Sequence, residues 1–406
     1  MYKLARFCFN DLRVVSSELK ISSKDLHHWR VIEAFRDALV KAVVQKELHP
    51  GFQHPERLLE YADYLSLFLF GLFNPVLKTV RGLCAASHLE RVQQEVCGRS
   101  VSLGSFSEAQ HLVDPAHLEK VFQELCQQVP PAGSGSPGLT WEQWFARDSS
   151  VFAALPRMTW ALYGGGHEGA PNRAVRLHLN FNVLEDKPAL ADVTVGRVCE
   201  RKSWEEQWER GAGYVGDRYF SKNYKLLGKL DEQGCAYVLR LAEEATITVL
   251  EKMEFSAADR KEGVVRQAWC HLGKDEFQSV RVRVVWIEGA QSALMLVTNM
   301  TPQALSAEMV SMLYRRRWQI ECFFKWLKCL LKCRHWLAES ERGVSVQLYL
   351  ALIAAVLLQL CLGRRPNQRM FELIQLYQMG YATTQEVIAG LQREQAREQG
   401  RKKIAV

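Results

Sequence analysis

Tyr314-Arg315-Arg316-Arg317-Trp318-Gln319-Ile320-Glu321-Cys322-Phe323-Phe324-Lys325-Trp326-Leu327-Lys328 contains neither proline nor glycine, and it reads as one unbroken helix. At about 100° per residue, Tyr314, Arg317, Glu321 and Lys328 share a face roughly 60° wide. A rise of about 1.5 Å per residue sets Arg317 some 6 Å above Glu321 and Lys328 some 10 Å below it. A carboxylate between two cations on one stripe suits a metal ion and successive phosphates. The Arg317–Glu321 spacing equally suits an ordinary surface ion pair. Trp318, Phe323, Phe324 and Trp326 make a neighbouring face apolar, so the stripe is anchored on a core.

Outward from this helix, charge is uneven. The chain of 406 residues carries a net +7. From Met312 onward there are 16 Lys and Arg against 7 Asp and Glu, a net +9 that leaves −2 for everything before it. That concentration points to a polyanion, most simply nucleic acid, and 11 tryptophans supply stacking surface. With 48% apolar and 24% charged residues the chain is a folded protein, and its length implies at least two cooperating units. The 11 cysteines are odd in number and form no CxxC pair, which favours a reduced, cytosolic compartment. Cys322, Cys329 and Cys333, with His335 beyond them, come nearest to a metal set but are incomplete, and buried thiols are the simpler reading. The N-terminus lacks the apolar core of a signal peptide. Val344–Leu362 is long enough to span a membrane, but it includes Ser345, Gln347 and Gln359 and has no companion. A buried core helix is expected there.

Residues 1–127 read as helical, with apolar spacing through Leu58–Leu72 and at Leu118, Val121, Phe122 and Leu125. Ser105-Phe106-Ser107-Glu108 offers an N-cap and Asp114-Pro115 opens another helix; the pair is either a DNA-reading helix-turn-helix or two bundle helices. Residues 128–138, rich in Pro, Gly and Ser, read as a linker. Beyond it Val175, Leu177, Leu179, Phe181 and Val183 alternate with polar residues as a strand. Trp204–Arg210 and Asn223–Gln233 read as helices, Gly213–Gly216 and Cys235–Leu241 as strands, so an α/β sheet is expected. Thr246–Leu250, Gly263–Cys270 and Ser279–Glu288 then give an all-strand stretch, followed by Leu294–Val297 and by helices over Leu305–Leu331 and Val344–Leu362. Gly164–Gly169 matches GxGxxG, but a strand follows where a dinucleotide site needs a helix, so a hairpin loop is expected.

Tyr314, Arg317, Glu321 and Lys328 satisfy Y-x2-R-x3-E-x6-K without a gap, and in this the chain resembles the IS4-family DDE transposases. The resemblance implies an RNase H-like α/β catalytic domain with an all-β insertion, a helical N-terminal domain (1–127) and C-terminal helices with a basic tail (336–406). The catalytic core would comprise 139–241 and 293–335, around an insertion at 242–292. By the same resemblance, Asp148 in Arg147-Asp148-Ser149-Ser150 is the first acid, Asp217 in Gly216-Asp217-Arg218 the second and Glu321 the third. Ser149 stands where glycine is common, and Asp186 and Asp192 are rivals for the first position. Three adjacent carboxylates repel one another, and hard divalent ions with oxygen ligands relieve this, here two Mg²⁺ or Mn²⁺. Two such ions about 3.5–4 Å apart support in-line displacement at phosphorus. Tyr314, Arg317, Lys328 and Arg218 would contact DNA, and Trp269 or Trp286 would stack a flipped base or serve as ordinary strand core. The implied partners are double-stranded DNA, at element ends and at the target, and a second copy in a homodimeric synaptic complex. No membrane is involved, and the setting is the bacterial cytoplasm and nucleoid. The rivals are an RNase H-like nuclease or junction resolvase without strand transfer, and a non-catalytic DNA-binding derivative.

Overall fold

Gly213-Tyr214-Val215-Gly216 is buried at all four positions, and the sheet is built outward from it. The computed structural model describes residues 30–130, 143–161, 163, 173–198, 204–205, 207–273, 280–289, 292–331 and 335–404. The strands among them are β1 (Trp144–Ala153), β2 (Ala174–Asn182), β3 (Lys187–Val195), β4 (Gly213–Gly216), β5 (Ala236–Arg240), β6 (Ile247–Met253), β7 (Val264–Leu272), β8 (Val280–Ile287) and β9 (Leu294–Thr298). They form one sheet in the order β3-β2-β1-β4-β5-β9-β8-β7-β6. β1, β4 and β5 run parallel, and every other pairing is antiparallel. Gly213 lies opposite Trp144. A β-carbon there would sit 2.5 Å from the indole, so glycine is what lets these two strands pair around a buried tryptophan.

Helices cover both faces. α1 (Arg30–Ala42), α2 (Tyr61–Phe73), α3 (Val80–Ala86), α4 (Leu103–Leu112) and α5 (Pro115–Gln128) precede the sheet. α6 (Arg218–Ser221) and α7 (Tyr224–Glu232) link β4 to β5, and α8 (Ala257–Lys261) links β6 to β7. After β9 come α9 (Ala307–Arg316), α10 (Trp318–Leu331), α11 (Glu341–Leu362), α12 (Gln368–Gln378) and α13 (Thr384–Ile404). On one face Trp144, Ala146 and Phe152 of β1 and Val215 of β4 meet Leu313 of α9 and Ile320, Phe323 and Leu327 of α10. The same apolar core runs on through α11 to Phe35, Phe68 and Phe122 of the N-terminal helices. On the opposite face Phe145 and Tyr214 pack with Trp204 and with Leu226, Leu227 and Leu230 of α7.

Several expectations change. The 305–331 segment is two helices, interrupted at Arg317, whose N–H is shared between the carbonyls of Leu313 and Tyr314. Ser102, not Ser105, caps α4, accepting from the Ser105 N–H at 3.1 Å; Asp114 caps α5 as expected. The 242–292 segment is not all-β. Its strands are joined by α8, held by a capping box between Ser256 and Asp259. They also extend the core sheet, because β8 pairs with β9 and β9 with β5. Of Trp204–Arg210, among the described residues only Trp204 and Glu205 are helical. Gly164–Gly169 and most of the linker fall outside the described residues. α11 is the core helix expected: Gln347 accepts the Leu337 N–H and donates to the His335 carbonyl, and Gln359 donates to the Asp186 carbonyl.

Candidate functional site

Side chains alternate along a strand, so Asp148 shares the face of Trp144, Ala146 and Phe152, toward α10. Asp217 follows β4 with extended dihedrals (φ −81°, ψ −177°) and keeps the alternation of Val215. β1 and β4 pair as Trp144↔Gly213, Phe145↔Tyr214 and Ala146↔Val215. Continuing that register two residues sets Asp148 beside Asp217 on strands about 4.8 Å apart. Both carboxylates are steadied by backbone: Asp148 accepts the Ser149 N–H at 2.8 Å, and Asp217 caps α6 by accepting the Tyr219 N–H at 2.9 Å.

The third acid arrives on a helix. Arg317 donates to Glu321 at 2.6 Å and lies 5.7 Å from the centre of the Tyr314 ring. Burial opposes the charge on Arg317, yet Tyr314, Glu321 and Asp148 together hold its pKa above the ordinary guanidinium value. Glu321 is hydrogen-bonded to Arg317, and Asp148 lies within its electrostatic reach. Further along α10, the Lys328 ammonium lies 5.6 Å from the centre of the Phe152 ring on β1. Phe323 packs on Phe181, 5.6 Å between centroids, and Phe181 pairs with Ala146.

Asp217 is thus aligned with Asp148 on one sheet face, and Glu321 is held by Arg317 on α10. Among the described residues, however, no three His, Cys, Asp or Glu side chains lie close enough to grip one ion. The donor set still suits hard divalent cations, being wholly carboxylate oxygen, and a guanidinium already occupies a counter-cation's place beside Glu321.

The other expected residues divide. Arg218 is exposed next to Asp217. Trp286 packs on the α7 side, with Arg266 4.5 Å from its ring centre. Trp269 points to the opposite face, since Ala268 and Cys270 on either side of it belong to the α7-side core; Arg281 lies 5.1 Å from its ring centre. Only Trp269 shares the sheet face of the acids. Of the rival acids, Asp186 sits in the β2–β3 turn at φ 53°, 3.4 Å from Arg365, and Asp192 pairs with His178 on β2. Cys322 is half-buried and Cys329 exposed, both free thiols; Cys333 lies outside the described residues.

Sequence reasoning passed over Arg147. It is fully buried on the sheet face opposite Asp148, donating to Asn180 at 3.1 Å and Gln207 at 2.6 Å. It thereby ties β1 to β2 and to the segment before β4. Its one local signal is its odd position in a strand whose even positions face the other core.

A cryo-EM structure of a piggyBac transposase synaptic complex with hairpin DNA is similar at 10% identity and a TM-score of 0.40, covering 95% of this chain and 81% of that one. A probable transposase for insertion sequence element IS5377 from Geobacillus stearothermophilus is 29% identical over 214 residues, 52% of this chain and 54% of that protein. A Synechocystis protein named for the transposase of element IS4SA is 25% identical over 225 residues, 53% of this chain and 59% of its own. The chain thus matches a little over half the length of these curated relatives. Residues 145–357 match the transposase DDE domain, a stretch that takes in Asp148, Asp217 and Glu321 and exceeds half of the chain, and the chain belongs to that family.

Proposed function

We propose that this protein is a DNA transposase of the IS4 type, cutting DNA at the ends of its element and joining them to a target. The observation that carries the reading is the alignment of Asp148 with Asp217, far apart in the chain, on the sheet face packed by α10, the helix that bears Glu321. An RNase H-like core is supported by the order β3-β2-β1-β4-β5, in which an antiparallel meander is followed by two parallel strands. Asp148, Asp217 and Glu321 would hold two Mg²⁺ or Mn²⁺. When bound, these supply activation of the attacking oxygen and stabilisation of the leaving one. Arg317 and Lys328, on one stripe of α10 and its junction, engage successive phosphates of the same strand. Tyr314, stacked near Arg317, orients the guanidinium. Arg218 adds a cation beside Asp217. If a base is flipped, Trp269 is the better platform, because Trp286 is turned toward α7. End recognition by the N-terminal helices and pairing of two copies complete the reading, with the protein acting on DNA in the cytoplasm.

The test is incubation of the purified chain with labelled element-end DNA and Mn²⁺, with products mapped on a denaturing gel. Wild type should yield end cleavage and joined strand-transfer products, and Glu321→Ala should yield neither while still binding DNA. End cleavage by Glu321→Ala would overturn the assignment; nicks without joined products in wild type would leave a nuclease.

A further inference from the structure

Arg317 stands at the junction of α9 and α10, where the backbone tightens. Its N–H is shared between the carbonyls of Leu313 (3.2 Å) and Tyr314 (3.1 Å), and the Ile320 N–H reaches back to the Arg317 carbonyl at 3.2 Å. Its side chain is 14% exposed and is committed to Glu321, itself 27% exposed. The buried Nε atom of Arg317 has no hydrogen-bond partner. Glu321 belongs to the first turn of α10, where the helix dipole favours a carboxylate. The acid is therefore held by its helix, and the arginine sits on the joint.

We propose that the Arg317–Glu321 ion pair is a latch: a divalent cation taking Glu321 displaces Arg317, and the freed guanidinium becomes a contact for a DNA phosphate. Arg317 holds Oε1 of Glu321, and a divalent cation bound across both carboxylate oxygens would compete with the guanidinium there, because the two cations repel. The divalent ion has twice the charge and prevails at oxygen, whereas a guanidinium pairs with phosphate through two parallel N–H bonds. Linkage makes the effect reciprocal: cation strengthens DNA binding, and DNA strengthens cation binding by the same factor. Lys328, 5.6 Å from the centre of the Phe152 ring, adds a second cation on α10 for the DNA backbone.

This coupling rests on the transposase reading above, and the experiment separates the two. The full chain is titrated with Mn²⁺ alone by calorimetry, as wild type, Arg317→Gln and Glu321→Gln. Arg317→Gln should bind Mn²⁺ roughly tenfold more tightly, because a competing charge-assisted hydrogen bond is gone. In a second arm, affinity for a short nonspecific duplex is measured over a salt series in Ca²⁺ and in EDTA. Wild type should show a log–log slope steeper by about 0.9 in Ca²⁺, the signature of one added phosphate contact, and Arg317→Gln the same slope in both. Unchanged or weaker Mn²⁺ binding by Arg317→Gln overturns the latch, as does a wild-type slope indifferent to Ca²⁺. The wild-type slope alone decides if that variant does not fold. Full Mn²⁺ affinity in Glu321→Gln would instead overturn the metal-centre reading itself.

Discussion

Gly213→Ala adds one methyl group at the seam on which the acids' adjacency depends. The new β-carbon would stand 2.5–2.7 Å from three atoms of the Trp144 indole, about 1 Å inside ordinary contact distance. Trp144 is wholly buried and cannot swing out, so β1 and β4 must part or the indole must leave its rotamer. Overpacking of this kind costs about 1–3 kcal/mol, a sizeable share of the roughly 5–15 kcal/mol that stabilises a domain. The same shift carries Asp148 away from Asp217, four residues further along each strand. Two readouts follow: a lower denaturant midpoint, and slower cleavage of element-end DNA in Mn²⁺ with DNA affinity retained. Gly228→Ala is the control, because a β-carbon there meets nothing within 4 Å inside α7, and it should stabilise by about 0.4–1 kcal/mol. If Gly213→Ala matches wild type in both midpoint and rate, the β1–β4 seam does not position the acids.

Three further outcomes are expected. Burial, then Arg147 and Arg176, push the His178 pKa down to about 3. Its imidazole stays neutral in the fold while the unfolded chain takes up a proton near 6.5, so stability is full above that pH and falls toward 3, with about 2 kcal/mol lost by pH 5; denaturant midpoints at pH 7 and 5 should show a smaller drop in His178→Gln. Lys328→Ala should weaken DNA binding and reduce its salt slope by about 0.9, measured by titration at several ionic strengths. Deleting residues 1–127 should give aggregated protein rather than a folded chain with relaxed end discrimination, because Phe35, Phe68 and Phe122 share one core with α11; soluble yield and far-ultraviolet dichroism check this.

Period and spacing were enough to locate most elements. Strand alternation found β2, short apolar runs found β4 and β5, and Asp114-Pro115 marked the start of α5, since each signal is carried by neighbours a few residues apart. The interruption at Arg317 was invisible, because no glycine or proline marks it. It is a tertiary event on a stretch of good helix formers, with Arg365 taking the Gln319 carbonyl at 3.2 Å just beyond the joint. The faces of Trp269 and Trp286 were equally unreadable, because the register of β7 on β8, with its bulge between Val264 and Arg266, decides which side each tryptophan takes. Arg147 was passed over because a buried cation is recognised only once Asn180 and Gln207 are seen to receive it.

The sequence by itself determined the Arg317–Glu321 pair, because helical geometry brings residues four apart together wherever the helix is placed. Only the tertiary structure decided that Asp148 and Asp217 run side by side and that α10 packs on the sheet face they share. Parallel strands are joined through a crossover whose path no local pattern encodes, and their pairing is settled by packing, here by a glycine that leaves room for a buried tryptophan.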